Sequence, residues 1–116
     1  MREVGFIPHL PGEPEAINSD SFEEDVLQAP VPVVVEFWAA RCAPCRRLAP
    51  VLSELARRER GQLKVVTLNV DEELEAAVRF AVTAIPALLL FVDGQERARF
   101  VGLPTEAELA QFLRVH

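Results

Sequence analysis

Two cysteines, Cys42 and Cys45, are the residues of this sequence best suited to covalent chemistry. The chain has no other cysteine, and only two residues separate them. A disulfide at this spacing closes too small a ring to restrain the unfolded chain much, so a structural cross-link is not expected. The pair can instead exchange with other disulfides, because a thiolate attacks sulfur. The alternatives are that the two cysteines are small apolar core residues, or that they form half of a metal site.

The sequence around the pair favours the exchange chemistry. Residues 31–38 form a continuous apolar run typical of a buried parallel strand, and residues 42–60 have the spacing of a helix that stops at Gly61. Pro44 fits the first helical turn. Cys42 therefore opens a helix, where the backbone dipole and free N–H groups favour a thiolate. We expect Cys42 to be the exposed nucleophile and Cys45 to be the more buried resolving thiol.

The remaining elements alternate between helix and strand. We predict helices at 18–28, 71–80 and 105–115, and strands at 63–70, 87–92 and 95–101. Ser21 with Glu24, and Thr105 with Glu108, have the spacing of capping boxes. Asp93 and Gly94 indicate a hairpin turn.

Two helices are expected to bury particular apolar side chains. Pro50 should kink the helix at 42–60, whose inward stripe is Leu48, Leu52 and Leu55. The helix at 71–80 should direct inward the side chains of Leu74, Val78 and Ala81. Together the elements predict an α/β fold with a central mixed sheet flanked on both faces by helices.

The N-terminal segment differs in composition from the rest. Residues 1–15 contain three prolines and two glycines, a density that disfavours helix and central strand. We predict a leader at 1–15 that is partly disordered or lies on the surface, followed by one domain at 16–116.

Charge and composition exclude several classes of function. The net charge of −6 argues against nucleic acid as a partner, although residues 41–64 hold seven Lys or Arg and two Glu, a local charge of +5. The presence of only two cysteines, with His9 and His116 near the chain ends, argues against a zinc site, so neither metal nor cofactor is expected. No signal peptide or membrane span is apparent, and a cytoplasmic location is predicted.

The segment VEFWAARCAPCRRLAP, residues 35–50, resembles the active-site region of the thioredoxin family, F-W-A-x-W-C-G-P-C-K/R. The resemblance runs from about residue 16 to the C-terminus and includes Pro50, the segment 84–86, the following hairpin and Gly102. It implies the thioredoxin fold and a thiol–disulfide oxidoreductase that reduces protein disulfides.

The resemblance also implies roles for individual residues. Cys42 would attack a target disulfide and Cys45 would release the reduced target. Pro86 matches the family's cis-proline beside the cysteines, and the backbone of Ile85 would pair with the substrate. Gly102 matches a glycine near the substrate groove.

Residues next to the cysteines complete the implied substrate-binding surface. Arg41, Ala43 and Pro44 would contribute to it. Trp38 matches a tryptophan that packs beside the active-site loop, and it would equally serve as a core aromatic at the end of a strand.

The sequence departs from the family pattern at a buried acid. Glu36 stands where the family usually has Asp, and Thr67 where it often has Lys. A carboxyl group buried without a cation has a raised pKa, so we predict a protonated Glu36 near neutral pH. Glu36 could then exchange a proton with Cys45. The alternative is a solvated glutamate at the sheet edge.

Two further departures concern the cysteine loop. Arg41 replaces tryptophan and Ala43 replaces glycine. A cation at position 41 could stabilise the Cys42 thiolate and make the disulfide more oxidising; the alternative is a solvated arginine. Ala87 replaces the usual Thr after Pro86.

The favoured function is a reductase recharged by a partner resembling thioredoxin reductase. One alternative is a more oxidising oxidase or isomerase, which Arg41 and Ala43 support. Another is a partner-binding module with little turnover. An iron–sulfur cluster would need a second chain, since one chain supplies only two thiolates.

Overall fold

One mixed sheet organises the chain in the computed structural model, which describes residues 13–114. Within that range its five strands are β1 (Glu15–Ala16), β2 (Val33–Trp38), β3 (Lys64–Asn69), β4 (Ala87–Val92) and β5 (Gln95–Val101). The order across the sheet is β1-β3-β2-β4-β5. β3 is parallel to both β1 and β2, while β4 is antiparallel to β2 and β5. The central position of β2 explains its continuous apolar sequence, since it is covered on both faces.

Helices cover both faces of this sheet. The helices are α1 (Ala43–Arg58), α2 (Leu74–Arg79) and α3 (Glu106–Leu113). α1 and α3 pack on one face, through side chains that include Leu52 and Phe112. α2 packs on the other face with the N-terminal turns. The predicted α/β class and its two-sided architecture are confirmed.

Strand alternation divides the core into two layers. Val34 and Leu88 point toward α1 and α3, whereas Val35 and Leu89 point toward α2. The α1 stripe is buried as predicted, at Leu48, Leu52 and Leu55. Glu36 has the same parity as Val34, so its side chain lies on the α1 face of the sheet.

The segment predicted as a helix at 18–28 is helical, but it is not an α-helix. The segment forms a 3-10 turn (Ser19–Ser21) followed by a π-helical turn (Glu23–Leu27). The prediction of a Ser21–Glu24 capping box is wrong, because the cap is Asn18, whose Oδ1 accepts the Ser21 N–H at 2.8 Å. An Asn side chain competes well for nearby backbone donors, and this cap lies three residues before Ser21, at the predicted start of the segment.

The inward face predicted for the helix at 71–80 is wrong as well. α2 buries Ala76 and Ala77, while Leu74 and Val78 are 67% and 70% exposed and Ala81 is exposed. Contacts with the 3-10 turn fix this orientation. Glu73 accepts the Ser19 N–H at 2.8 Å, and these contacts outweigh the apolar pattern of so short a helix.

The C-terminal half follows the sequence pattern closely. Asp93 and Gly94 both have positive φ, as the predicted two-residue hairpin turn requires. The Thr105–Glu108 capping box is present. Residues 1–12 of the predicted leader lie outside the described residues. Glu15, the last residue of the leader, belongs to β1, a strand that the sequence pattern did not reveal.

Candidate active site

The cysteine pair lies at the edge of the sheet where β2 and β3 both end. β2 ends at Trp38 and leads through a short loop to Cys42, and β3 is followed by Val70 and Asp71. Because parallel neighbours end at the same edge, the segment after β3 lies beside the cysteine loop. The Val70 N–H donates to the Trp38 carbonyl at 2.8 Å and joins the two segments.

Cys42 and Cys45 form a disulfide at the N-terminus of α1, with their Cα atoms 5.3 Å apart. Cys42 is the N-cap, and its Sγ accepts the backbone N–H of Cys45 at 3.2 Å. Cys42 is 9% exposed and Cys45 is 2% exposed. The expectation of an exposed Cys42 is wrong for this disulfide form, because Cys42 packs with Ala39 and Cys45 and is buried. Cys45 is the more buried of the two residues, as predicted.

Glu36 is a buried acid in the central strand, only 4% exposed. It lies opposite Thr67 on β3 and Leu88 on β4, so neither neighbour supplies a cation. Burial raises the pKa of Glu36 from 4.5 to about 7. Its proton can therefore be lost and regained near neutral pH.

A cavity of about 310 Å³ connects this acid with the cysteine pair. Its lining includes Glu36, Cys45, Trp38 and Thr67, together with Glu13, Pro14 and Arg46. The Glu13 carboxylate is anchored 3.4 Å from the Arg57 guanidinium. Glu36 and Cys45 thus line the same cavity, which is what proton exchange between them needs.

A second loop faces the cysteines from β4. Its Ile85–Pro86 peptide bond is cis, and Ile85 packs against the cluster formed by Ala39, Cys42 and Cys45. The Gly102 N–H donates to the Pro86 carbonyl at 2.8 Å, which brings Gly102 to the same loop. Gly102 has φ +104°, a conformation that glycine adopts at little cost.

The two residues between the cysteines, both predicted to contact the substrate, differ in exposure. Ala43 is exposed and Pro44 is half-buried at the start of α1. Trp38 packs against the cysteine cluster from the end of β2. Val70 also packs there, and the sequence interpretation missed it. Its position directly after a buried parallel strand is the signal that could have identified it.

Arg41 forms an ion pair that the sequence did not indicate. Its Nη2 lies 3.0 Å from Oδ1 of Asp71, and the side chains are 68% and 47% exposed. The Arg41 charge is therefore balanced by a carboxylate. A thiolate at Cys42 would meet an ion pair at this position, and the predicted effect of a lone cation is correspondingly smaller.

Residues 13–114 offer neither a metal-binding cluster nor a membrane-spanning helix. That part of the chain holds no group of three or more His, Cys, Asp or Glu side chains placed to bind a metal ion. None of its helices has the length and apolar character needed to cross a membrane.

A mixed sheet with a cysteine pair opening a helix, opposite a cis-proline loop and above a buried acid, defines a thiol–disulfide oxidoreductase. The family model described as Thioredoxin matches residues 13–115. A thioredoxin of Pseudomonas aeruginosa is 46% identical over 97 residues, covering 84% of this chain and 90% of the relative. Thioredoxin C-2 of Corynebacterium nephridii is 44% identical, covering 83% of this chain and 89% of its own. Thioredoxin 1 of a Nostoc species is 39% identical, with coverage of 86% and 94%.

The chain belongs to the thioredoxin family, and its activity is that of a protein-disulfide reductase. Its substrates are proteins that contain disulfides, and a reductase-type partner recharges it. The predicted family and function are confirmed, and the oxidase, isomerase and binding-module alternatives are not favoured.

Proposed function

We propose that Cys42 is the attacking thiolate of this reductase and Cys45 the resolving thiol. The observation that carries this assignment is the N-cap hydrogen bond, in which the Cys45 N–H donates to Sγ of Cys42. In the reduced protein the same donor and the N-terminus of α1 would stabilise negative charge on that sulfur. Cys45 is the more buried of the two sulfurs and is suited to an intramolecular second step.

The reaction would run in two exchanges. The Cys42 thiolate attacks one sulfur of the target disulfide, forming a mixed disulfide and releasing the other target sulfur as a thiolate. Cys45 then attacks Cys42, the mixed bond breaks, and the second target thiolate leaves. Two electrons pass from the pair to the target, and the Cys42–Cys45 disulfide forms.

Glu36 would serve the second exchange by accepting the proton of Cys45. Burial holds its pKa at about 7, so the carboxyl group can act as base and then as acid near neutral pH. The cavity that it shares with Cys45 gives a route for the proton, directly or through water.

The target would bind across the cysteine loop and the cis-proline loop. Ile85 would offer its backbone to an extended target strand, and Gly102 leaves space for it. Arg41, Ala43 and Pro44 would form the opposite side of this surface. Trp38 supports the loop from beneath and need not touch the target.

A thioredoxin reductase-like enzyme would return the disulfide to the dithiol. We also propose a cytoplasmic location, because a reducing compartment supplies the electrons that this cycle consumes.

Trapping of the mixed disulfide tests the assignment. Cys45→Ser should accumulate a covalent adduct with a disulfide protein such as insulin, and Cys42→Ser should not. Adducts formed equally by both variants, or only by Cys42→Ser, would contradict the proposed roles of the two cysteines.

The Glu36 role has its own readout in single-turnover kinetics. Glu36→Gln should slow resolution of the mixed disulfide by on the order of 100-fold at pH 7 without preventing its formation. Glu36→Asp keeps a titratable group and should restore part of the rate. Equal resolution rates in the wild type and Glu36→Gln would remove Glu36 from the mechanism.

A further inference from the structure

Two arginines are held at the cysteine loop by contacts on its two sides. Arg41 donates from Nη2 to Asp71 at 3.0 Å, and Arg46 donates from Nη1 to the Ala40 carbonyl at 2.8 Å. Both side chains are exposed. These contacts hold both arginine side chains at the loop that leads from β2 to Cys42.

The Arg41 ion pair can be exchanged for a contact with another molecule. A guanidinium has five N–H donors, and the contact with Asp71 uses one of them. An exposed pair of this kind contributes little to stability, typically below about 1 kcal/mol. A target carboxylate, which can accept two parallel hydrogen bonds from arginine, would therefore compete well with Asp71.

A groove brings the target chain to this pair. A cavity of about 290 Å³ has Arg41 and Asp71 among its lining residues, and its wall includes Val70 and Ile85, which pack against the cysteine cluster. Leu74 and Ile85 supply apolar surface to it, and Leu74 is 67% exposed. A segment whose half-cystine meets Cys42 and which follows this groove passes the Arg41 guanidinium.

We propose that Arg41 selects targets with an acidic side chain next to the reactive disulfide, taking that carboxylate in exchange for Asp71. The inference rests on the proposed function, because it needs a target seated on Cys42. A basic target residue would have to take Asp71 from Arg41 and would then lie beside that guanidinium, which repels it. The chain as a whole has a net charge of −6 and repels an acidic target. The attraction to Arg41 is therefore confined to the cysteine loop, and this difference in charge orients the target as it approaches.

Two synthetic peptides test the proposal, each with one intramolecular disulfide and differing only in Glu or Gln beside the reactive half-cystine. The readout is the ratio of their kcat/KM values, divided by the same ratio for reduction by dithiothreitol. This division removes the intrinsic effect of the carboxylate on disulfide exchange. The wild-type ratio should favour the Glu peptide by about two- to fivefold at low salt, as for an exposed ion pair.

Three variants separate Arg41 from general charge effects. Arg41→Ala should bring the ratio to about one, and Asp71→Asn should raise it because the competing carboxylate is gone. Arg60→Ala removes the same charge from an exposed side chain two residues beyond the C-terminal end of α1 and should keep the wild-type ratio. Equal ratios for the wild type and Arg41→Ala, with both peptides reduced, would overturn the inference alone. Failure of the wild type to reduce either peptide would overturn the proposed function with it.

Discussion

The backbone N–H of Cys45 donates a hydrogen bond to Sγ of Cys42 across 3.2 Å at the first turn of α1. The contact exists because Cys42 is the N-cap, a position normally occupied by Ser, Thr, Asp or Asn. A sulfur there takes the place of the capping oxygen. Whatever charge develops on Cys42 during exchange is met by a backbone donor that is already in position.

The first prediction concerns the pKa of Cys42 in the reduced protein. It should lie well below the ordinary ~8.5 of a thiol, near ~7 as is typical of thioredoxins, because the helix N-terminus favours the thiolate. The pH dependence of alkylation by iodoacetamide in Cys45→Ser measures it, with thiolate absorbance as a check. A midpoint at about 8.5 or above would show that the N-cap position does not activate this sulfur.

The second prediction separates Arg41 from that effect. Arg41→Ala leaves Asp71 as an unpaired carboxylate and should raise the Cys42 pKa, whereas the double variant Arg41→Ala/Asp71→Asn removes both charges and should shift it by less than about half a unit. Asp71→Asn leaves the arginine unpaired and should lower the Cys42 pKa. A rise of about one unit or more in the double variant would restore the interpretation of Arg41 as a lone stabilising cation.

The third prediction is a pH dependence of stability caused by Glu36. Its pKa is raised from 4.5 in the unfolded chain to about 7 in the fold, so the folded state holds the proton more tightly. Stability from this group is therefore full below pH 4.5, falls as pH rises, and is lost above pH 7. The shift corresponds to about 3 kcal/mol.

Denaturant unfolding of the oxidised protein at pH 5 and pH 8 measures this change. Glu36→Gln should unfold with a free energy that varies less between the two pH values, and it should be more stable than the wild type at pH 8. An unchanged pH dependence in Glu36→Gln would mean that the carboxylate is solvated in solution.

The fourth prediction restores the cation that this chain lacks beside the buried acid. Thr67 lies opposite Glu36 and lines the same cavity, so Thr67→Lys places an ammonium group near the carboxylate. The Glu36 pKa should fall by about one to three units, measured by NMR or infrared titration. Thr67→Gln is a control of similar length without charge. Equal pKa values in the two variants would contradict a direct Coulomb effect.

The sequence was most informative where one local cause decides the structure. The apolar run of β2 and the helix opened by Pro44 located the cysteines, and Asp93–Gly94 located the hairpin. Glu36 was also predictable as a buried acid, because an apolar strand surrounds it. Each of these features depends on neighbours within a few residues along the chain.

The features that could not be predicted depend on contacts distant in sequence. The orientation of α2 is set by Ser19 and Glu73, which are 54 residues apart. The pairing of Arg41 with Asp71 needs the adjacency of β2 and β3, and a lone arginine was the natural interpretation without it. A two-residue strand such as β1 is too short to leave a periodic pattern.

The central claim is that the Cys42–Cys45 pair works as a reductant, and its equilibrium reduction potential tests that claim most directly. Titration against defined thiol buffers should give a value near ~ −270 mV, as for thioredoxin. A value between about −200 and −120 mV would identify an oxidant or isomerase and contradict the assignment as a reductase.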